Sequence, residues 1–153
     1  MRDKNWVLEH RGGSLKIDQQ KQLMKWALEC VNHLLPLLNG SINEKITNAI
    51  TVGNNWITGK ATTGDAIKSA REIIKYVRTL NNELEILITR AAGQAVATAH
   101  MADHSMGPVY YGIKAIKING GSIDSEIKWQ IEQLPNNIKE LVINGLKNKG
   151  IIK

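Results

Sequence analysis

The stretch from Asn82 to His104 constrains the fold of this chain more than any other. One helical face of it is apolar, with residues three or four apart: Leu84, Leu87, Ile88, Ala91, Ala95, Ala99 and Ala102. A second stripe of small or semi-polar residues consists of Gly93, Ala97, His100 and His104. A helix without a polar face is normally buried among other helices. We therefore predict that this Ala- and Gly-rich segment is the central helix of an all-α domain.

Gly93 adds a second argument for close packing of this helix. A glycine in the middle of a helix costs about 1 kcal/mol relative to alanine, and strong helix formers flank this one. We expect that a neighbouring element approaches the backbone at Gly93.

Six further amphipathic segments accompany the central one. Their start and stop residues place them at about 17–35, 43–57, 63–80, 108–118, 122–134 and 137–148, with Asp18 as the N-cap of the first and Pro108 at the first position of the fifth. Alternation of period two is nowhere long enough to predict a strand. The sequence predicts one domain of about seven helices over residues 15–153, preceded by an irregular or extended arm over residues 1–14.

Composition and charge limit the class of protein. The net charge is +6, which suits an acidic partner, but the Lys and Arg residues are scattered, so nucleic-acid binding is not favoured. No apolar signal segment opens the chain, and no window approaches the roughly 18 apolar residues of a membrane span. The single cysteine, Cys30, cannot form an internal disulfide. We expect a cytoplasmic protein without a membrane partner.

Two pairs of residues allow a metal site as an alternative. Cys30 and His33 are three apart on the first helix, and His100 and His104 are four apart on the central helix, so each pair projects from one side. If they faced each other, the four side chains could bind zinc, and Asp103 could accept a hydrogen bond from one of the histidine ligands. Such spacings are common by chance, however, and the other interpretation is a buried Cys30 and hydrogen-bonded histidines.

Motifs of catalysis are missing from the sequence. It has no H-E-x-x-H, no nucleophile elbow, and no phosphate loop, since the glycines around 59–64 lack the required spacing. Glu126 and Glu132 look like solvated residues, and no pair of carboxylates stands out. The sequence therefore predicts that the chain is not an enzyme and needs no cofactor.

The aromatic residues are expected to fill the core more than to bind ligands. Trp26, Trp56 and Trp129 lie on or near apolar stripes, and the chain has no Phe. Tyr110 and Tyr111 point about 100° apart on a helix, so one can be buried while the other joins a binding surface.

Three blocks, in this order, resemble a known family. They are LMKWALECVNHLLPLL at 23–38, AAGQAVATAHMADHSMGPVYYGIKAI at 91–116 and IKWQIEQLP at 127–135. Together they resemble the Imm-5-like immunity proteins of bacterial toxin systems. The resemblance implies a small all-helical protein that binds a cognate protein toxin and blocks it. The family-motif residues that it implies are Trp26, Cys30, His33, Gln94, His100, Asp103, His104, Trp129 and Gln130.

Some features depart from what the resemblance implies. Gln94 stands where many relatives have histidine, and Asp103 where they often have threonine. The positive net charge also departs from expectation, because inhibitors of basic nuclease toxins are usually acidic. The toxin would have to be acidic, or this chain would need a local acidic patch. A small metal-binding protein and a basic nucleic-acid-binding protein stay open as alternatives, and so does a homodimer.

Overall fold

Helix α4, Glu83–Ala97, lies at the centre of the computed structural model, which describes residues 2–153. Six more α-helices occur in the described residues: α1 Ile17–Leu34, α2 Glu44–Ile57, α3 Thr63–Val77, α5 Gly107–Ile118, α6 Ile123–Glu132 and α7 Asn136–Asn148. Helices α1, α2, α3 and α5 all pack against α4. The predicted all-α domain of about seven helices around a central one is confirmed. No helix within residues 2–153 combines the length and hydropathy that a membrane crossing requires.

The buried face of α4 explains its composition. Ile88, Ala91, Ala95 and Val96 have no exposed surface. A Cβ atom at Gly93 would lie 2.7 Å from Cγ2 of Ile73 on α3, so this glycine allows the two helices to approach closely. The packing reason expected for Gly93 is therefore present.

Helix α4 ends at Ala97, not near His104 as the apolar stripe predicted. The side-chain amide of Gln20 on α1 donates hydrogen bonds to the carbonyls of Thr98 (2.8 Å) and Ala99 (3.1 Å). These bonds satisfy carbonyl groups that have no partner after the last turn of a helix. The chain then passes through an extended Met101 into a short 3₁₀ helix, Ala102–Met106. His100 and His104 therefore do not share a face of one regular helix.

Four helices begin after a residue type that favours the N-cap position. The side chains of Asn43, Thr62, Asn82 and Ser122 accept hydrogen bonds from first-turn backbone amides, as N-cap residues do. The prediction for Asp18 was wrong: α1 begins at Ile17, and the Gln19 side chain accepts a bond from the backbone N–H of Lys16.

The N-terminal arm is more regular than predicted. It forms two short 3₁₀ helices, Lys4–Trp6 and Glu9–Arg11, and an isolated bridge joins Leu8 to Leu15. Trp6 is buried in a second hydrophobic core that also includes Trp26, Cys30, Ile138 and Leu146. The arm therefore contributes to this second core, whereas α2, α3 and α4 surround the first.

Candidate functional site

A groove of about 440 Å³ runs between α3 and α4 and reaches the segment that follows α4. Helix α3 contributes Ile67, Arg71 and Ile74, which the spacing of a helix places on one side, and Arg78 follows directly after its last residue. Helix α4 contributes Arg90, Gly93, Gln94 and Ala97. Because Ala97 carries only a methyl group, the space between the arginines stays open above an apolar floor.

The two histidines of the central motif lie at one end of this groove. Nδ1 of His104 is 2.8 Å from Oε1 of Gln94, and the rings of His100 and His104 are 5.3 Å apart. An amide oxygen only accepts hydrogen bonds, so Nδ1 of His104 carries the proton and donates it. Nδ1 of His100 is buried and has no hydrogen-bond partner among residues 2–153.

Both histidines are less basic than a free imidazole. Burial lowers the pKa of His100, and the nearby charges of Arg2, Arg11 and Arg71 lower it further. Burial also lowers the pKa of His104, although the charge of Asp103 opposes that effect. Since ordinary histidine titrates near pH 6.5, both rings are mostly neutral at pH 7.

This shift makes stability depend on pH. The unfolded chain binds protons at these histidines more readily than the folded chain, so stability is full above about pH 6.5 and falls as pH is lowered toward the folded pKa values.

We expect the melting temperature to drop between pH 7 and pH 5, and the drop to be smaller in His100→Gln/His104→Gln. Thermal melts across this range measure it. A profile of the double variant that parallels the wild type would refute the assignment.

Asp103 pairs with Arg2 instead of supporting a metal ligand. Its carboxylate lies 3.0 Å from the guanidinium of Arg2, at a partly exposed position. A pair of this kind contributes at most about 1 kcal/mol. Its structural consequence is that it joins residue 2 to the segment after α4, next to the histidines.

Tyr110 and Tyr111 divide as predicted into an exposed and a more buried residue. Tyr110 is 42% exposed, and Lys114 donates a 2.7 Å hydrogen bond to its hydroxyl. Tyr111 lines the groove at the end near His104.

The first and third motif blocks meet at a second cluster, between α1 and α6. The rings of His33 and Trp129 stack with centroids 3.6 Å apart. Nδ1 of His33 lies 3.0 Å from both oxygens of Glu126. The indole N–H of Trp26 donates a 2.8 Å bond to the carbonyl of Gln130. This cluster links two helices that are distant in sequence.

Glu126 is the residue that sequence reasoning missed. It was predicted to be solvated, yet it is 5% exposed and also accepts a hydrogen bond from the Gln130 side chain. The buried side of α6 is the polar pair Glu126 and Gln130, whereas Ile127 and Ile131 are half-buried. The signal was the spacing of these two residues by four positions, which places them on one face.

The four residues of the zinc alternative are not brought together. Cys30 is fully buried in the second core, and burial raises the pKa of its thiol, as do the charges of Glu126 and Glu29. His33 contacts α6, while His100 and His104 line the groove. Across residues 2–153, no group of three or more His, Cys, Asp or Glu side chains is placed to hold a metal ion. Because α4 ends at Ala97, His100 and His104 also lack the shared helix face on which this alternative relied.

A comparison with protein-family models decides the family. The model described as Imm-5 like putative immunity protein matches residues 13–137. The chain belongs to this family. All nine motif residues lie inside the matched range, and the structure gathers most of them in two places, the groove end and the α1–α6 cluster. No curated protein and no solved structure matches the chain.

Proposed function

We propose that this chain is an immunity protein that binds a cognate protein toxin and neutralises it by covering part of its surface, without catalysis and without a cofactor. Family membership over residues 13–137 is the observation that carries this proposal. Because an immunity protein protects the cell that makes it, we place its action in the cytoplasm.

The chemistry of the motif residues supports binding over catalysis. His104 is held by the amide of Gln94, not by a carboxylate, and burial lowers its pKa. The thiol of Cys30 is buried and protonated, which makes it a poor nucleophile. These groups therefore suit packing and recognition better than proton transfer or covalent attack.

Protection of living cells tests this proposal. The candidate toxin is the product of the neighbouring open reading frame. It would be expressed from an inducible promoter in cells with and without this chain. We expect induction to stop growth in cells without the chain and growth to continue in cells with it. Growth arrest in cells that contain this chain as folded protein, confirmed by its yield and circular dichroism, would contradict the proposal.

A further inference from the structure

Positive charge is concentrated along the α3–α4 groove. Arg71, Arg78 and Arg90 are exposed and line it, and none of them forms an ion pair with another residue of 2–153. No Asp or Glu lines this groove. The adjoining pocket adds Arg2 and Lys149, and its one carboxylate is that of Asp103, which is paired with Arg2.

The floor of the same groove is apolar. Ile67, Ile74 and Val77 on α3 face Ala97 on α4. Ile74 is 55% exposed, the largest exposed fraction among the large hydrophobic residues of the described chain. A ligand that fits here must combine negative charge with apolar side chains.

An unsatisfied polar atom lies at the end of the groove. Nδ1 of His100 is buried without a hydrogen-bond partner in the described residues, and the ring lies beside His104 at the groove. A buried polar atom of this kind costs free energy until a partner reaches it. A rotation of the His100 side chain would be needed before an incoming polar group could supply the missing bond.

We propose that the α3–α4 groove binds a segment of the toxin in which acidic and apolar side chains alternate on one face. Carboxylates of the segment pair with Arg71 and Arg90, since guanidinium and carboxylate groups form two parallel hydrogen bonds. Its apolar side chains pack on Ile74 and Val77. The volume of about 440 Å³ is large enough for several side chains. This inference rests on the proposed function, and it explains why a protein of net charge +6 serves as an inhibitor.

A protein segment fits the groove better than a nucleic acid does. Tyr111 is the one aromatic residue other than histidine in its lining, so few rings are available to stack on bases. The cations also flank an apolar floor, which matches side chains more closely than a phosphate backbone.

Selection of peptides from a random 12-residue library tests the groove directly. Wild-type protein should enrich peptides in which at least two Asp or Glu residues alternate with Leu or Ile. The enriched peptide, once synthesised, should bind Arg71→Glu/Arg90→Glu at least about tenfold more weakly, and tenfold corresponds to about 1.4 kcal/mol. The control Lys117→Glu/Lys128→Glu makes the same change of charge at exposed positions outside the groove and should keep its affinity. If charge reversal prevents folding, Arg71→Gln/Arg90→Gln replaces it.

Four results would overturn the inference. They are enrichment of neutral or basic peptides, equal binding by the arginine variant, tighter binding of a 12-residue oligothymidine through the same arginines, and a dimer in light scattering that the arginine variant no longer forms. The peptide assay needs no toxin, so it separates the two proposals. Full protection of cells by the arginine variant would leave the immunity function standing and reject the groove as the toxin site. Absence of protection by wild-type protein that still binds the peptide would reject the immunity function and leave the groove only as a binding site for acidic peptides.

Discussion

Replacing Trp26 with alanine should lower the free energy of unfolding by about 3–5 kcal/mol, the usual cost of truncating a buried aromatic residue. Trp26 is 1% exposed within the second hydrophobic core. Its indole N–H also donates to the carbonyl of Gln130, and this bond connects α1 to α6. Urea unfolding followed by circular dichroism gives the free energy.

Trp26→Phe separates the two contributions of this residue. It keeps most of the apolar packing but removes the N–H group, leaving the Gln130 carbonyl without that donor. We expect a loss clearly smaller than that of Trp26→Ala, because the Gln130 carbonyl keeps the 3.3 Å bond from the backbone N–H of Gln133, and a single lost hydrogen bond costs about 0.5–1.5 kcal/mol. Unchanged unfolding midpoints for both variants would mean that α1 and α6 are not held together in this way.

Ala95→Leu should destabilise the protein by about 1–3 kcal/mol because additional methyl groups have no space in a filled core. Ala95 has no exposed surface and lies on α4 in the first hydrophobic core. Thermal melting measures the effect.

Asn54→Leu is the matched control for overpacking. It introduces the same side chain on helix α2 at an exposed position. Its melting temperature should stay close to that of the wild type. If Ala95→Leu and Asn54→Leu melt alike, α4 cannot be the enclosed central helix of the fold.

The helices themselves could be predicted from the sequence because their signals are local. The apolar stripe of 84–95 requires burial wherever that helix lies, and Thr62 and Asn82 cap helices through contacts three residues away. These patterns depend on neighbouring positions along the chain, which a sequence displays directly.

The end of α4 could not be predicted in this way. It depends on Gln20, whose amide reaches the carbonyl of Thr98 across 78 positions of sequence. The apolar stripe itself continues to Ala102, so the local pattern predicted more helix. The zinc hypothesis depended on this extension, because the spacing of His100 and His104 places them on one side only if the helix continues.

Both candidate sites also depend on packing between distant segments. Glu126 looks solvated until His33 approaches it from a position 93 residues away. Arg71, Arg78 and Arg90 look like scattered surface cations, and only the close approach of α3 to α4 at Gly93 aligns them along one groove. No local motif predicts the burial of the Glu126 carboxyl group. None predicts the alignment of the three arginines along the groove either.

The most direct test of the immunity function is titration of the purified candidate toxin with this protein while the activity of the toxin is measured. The account predicts that activity falls in proportion to added protein and reaches baseline near an equimolar ratio, and that size-exclusion chromatography shows a complex of the two chains. Undiminished toxin activity in the presence of a large excess of folded protein, with the two chains eluting separately, would contradict it.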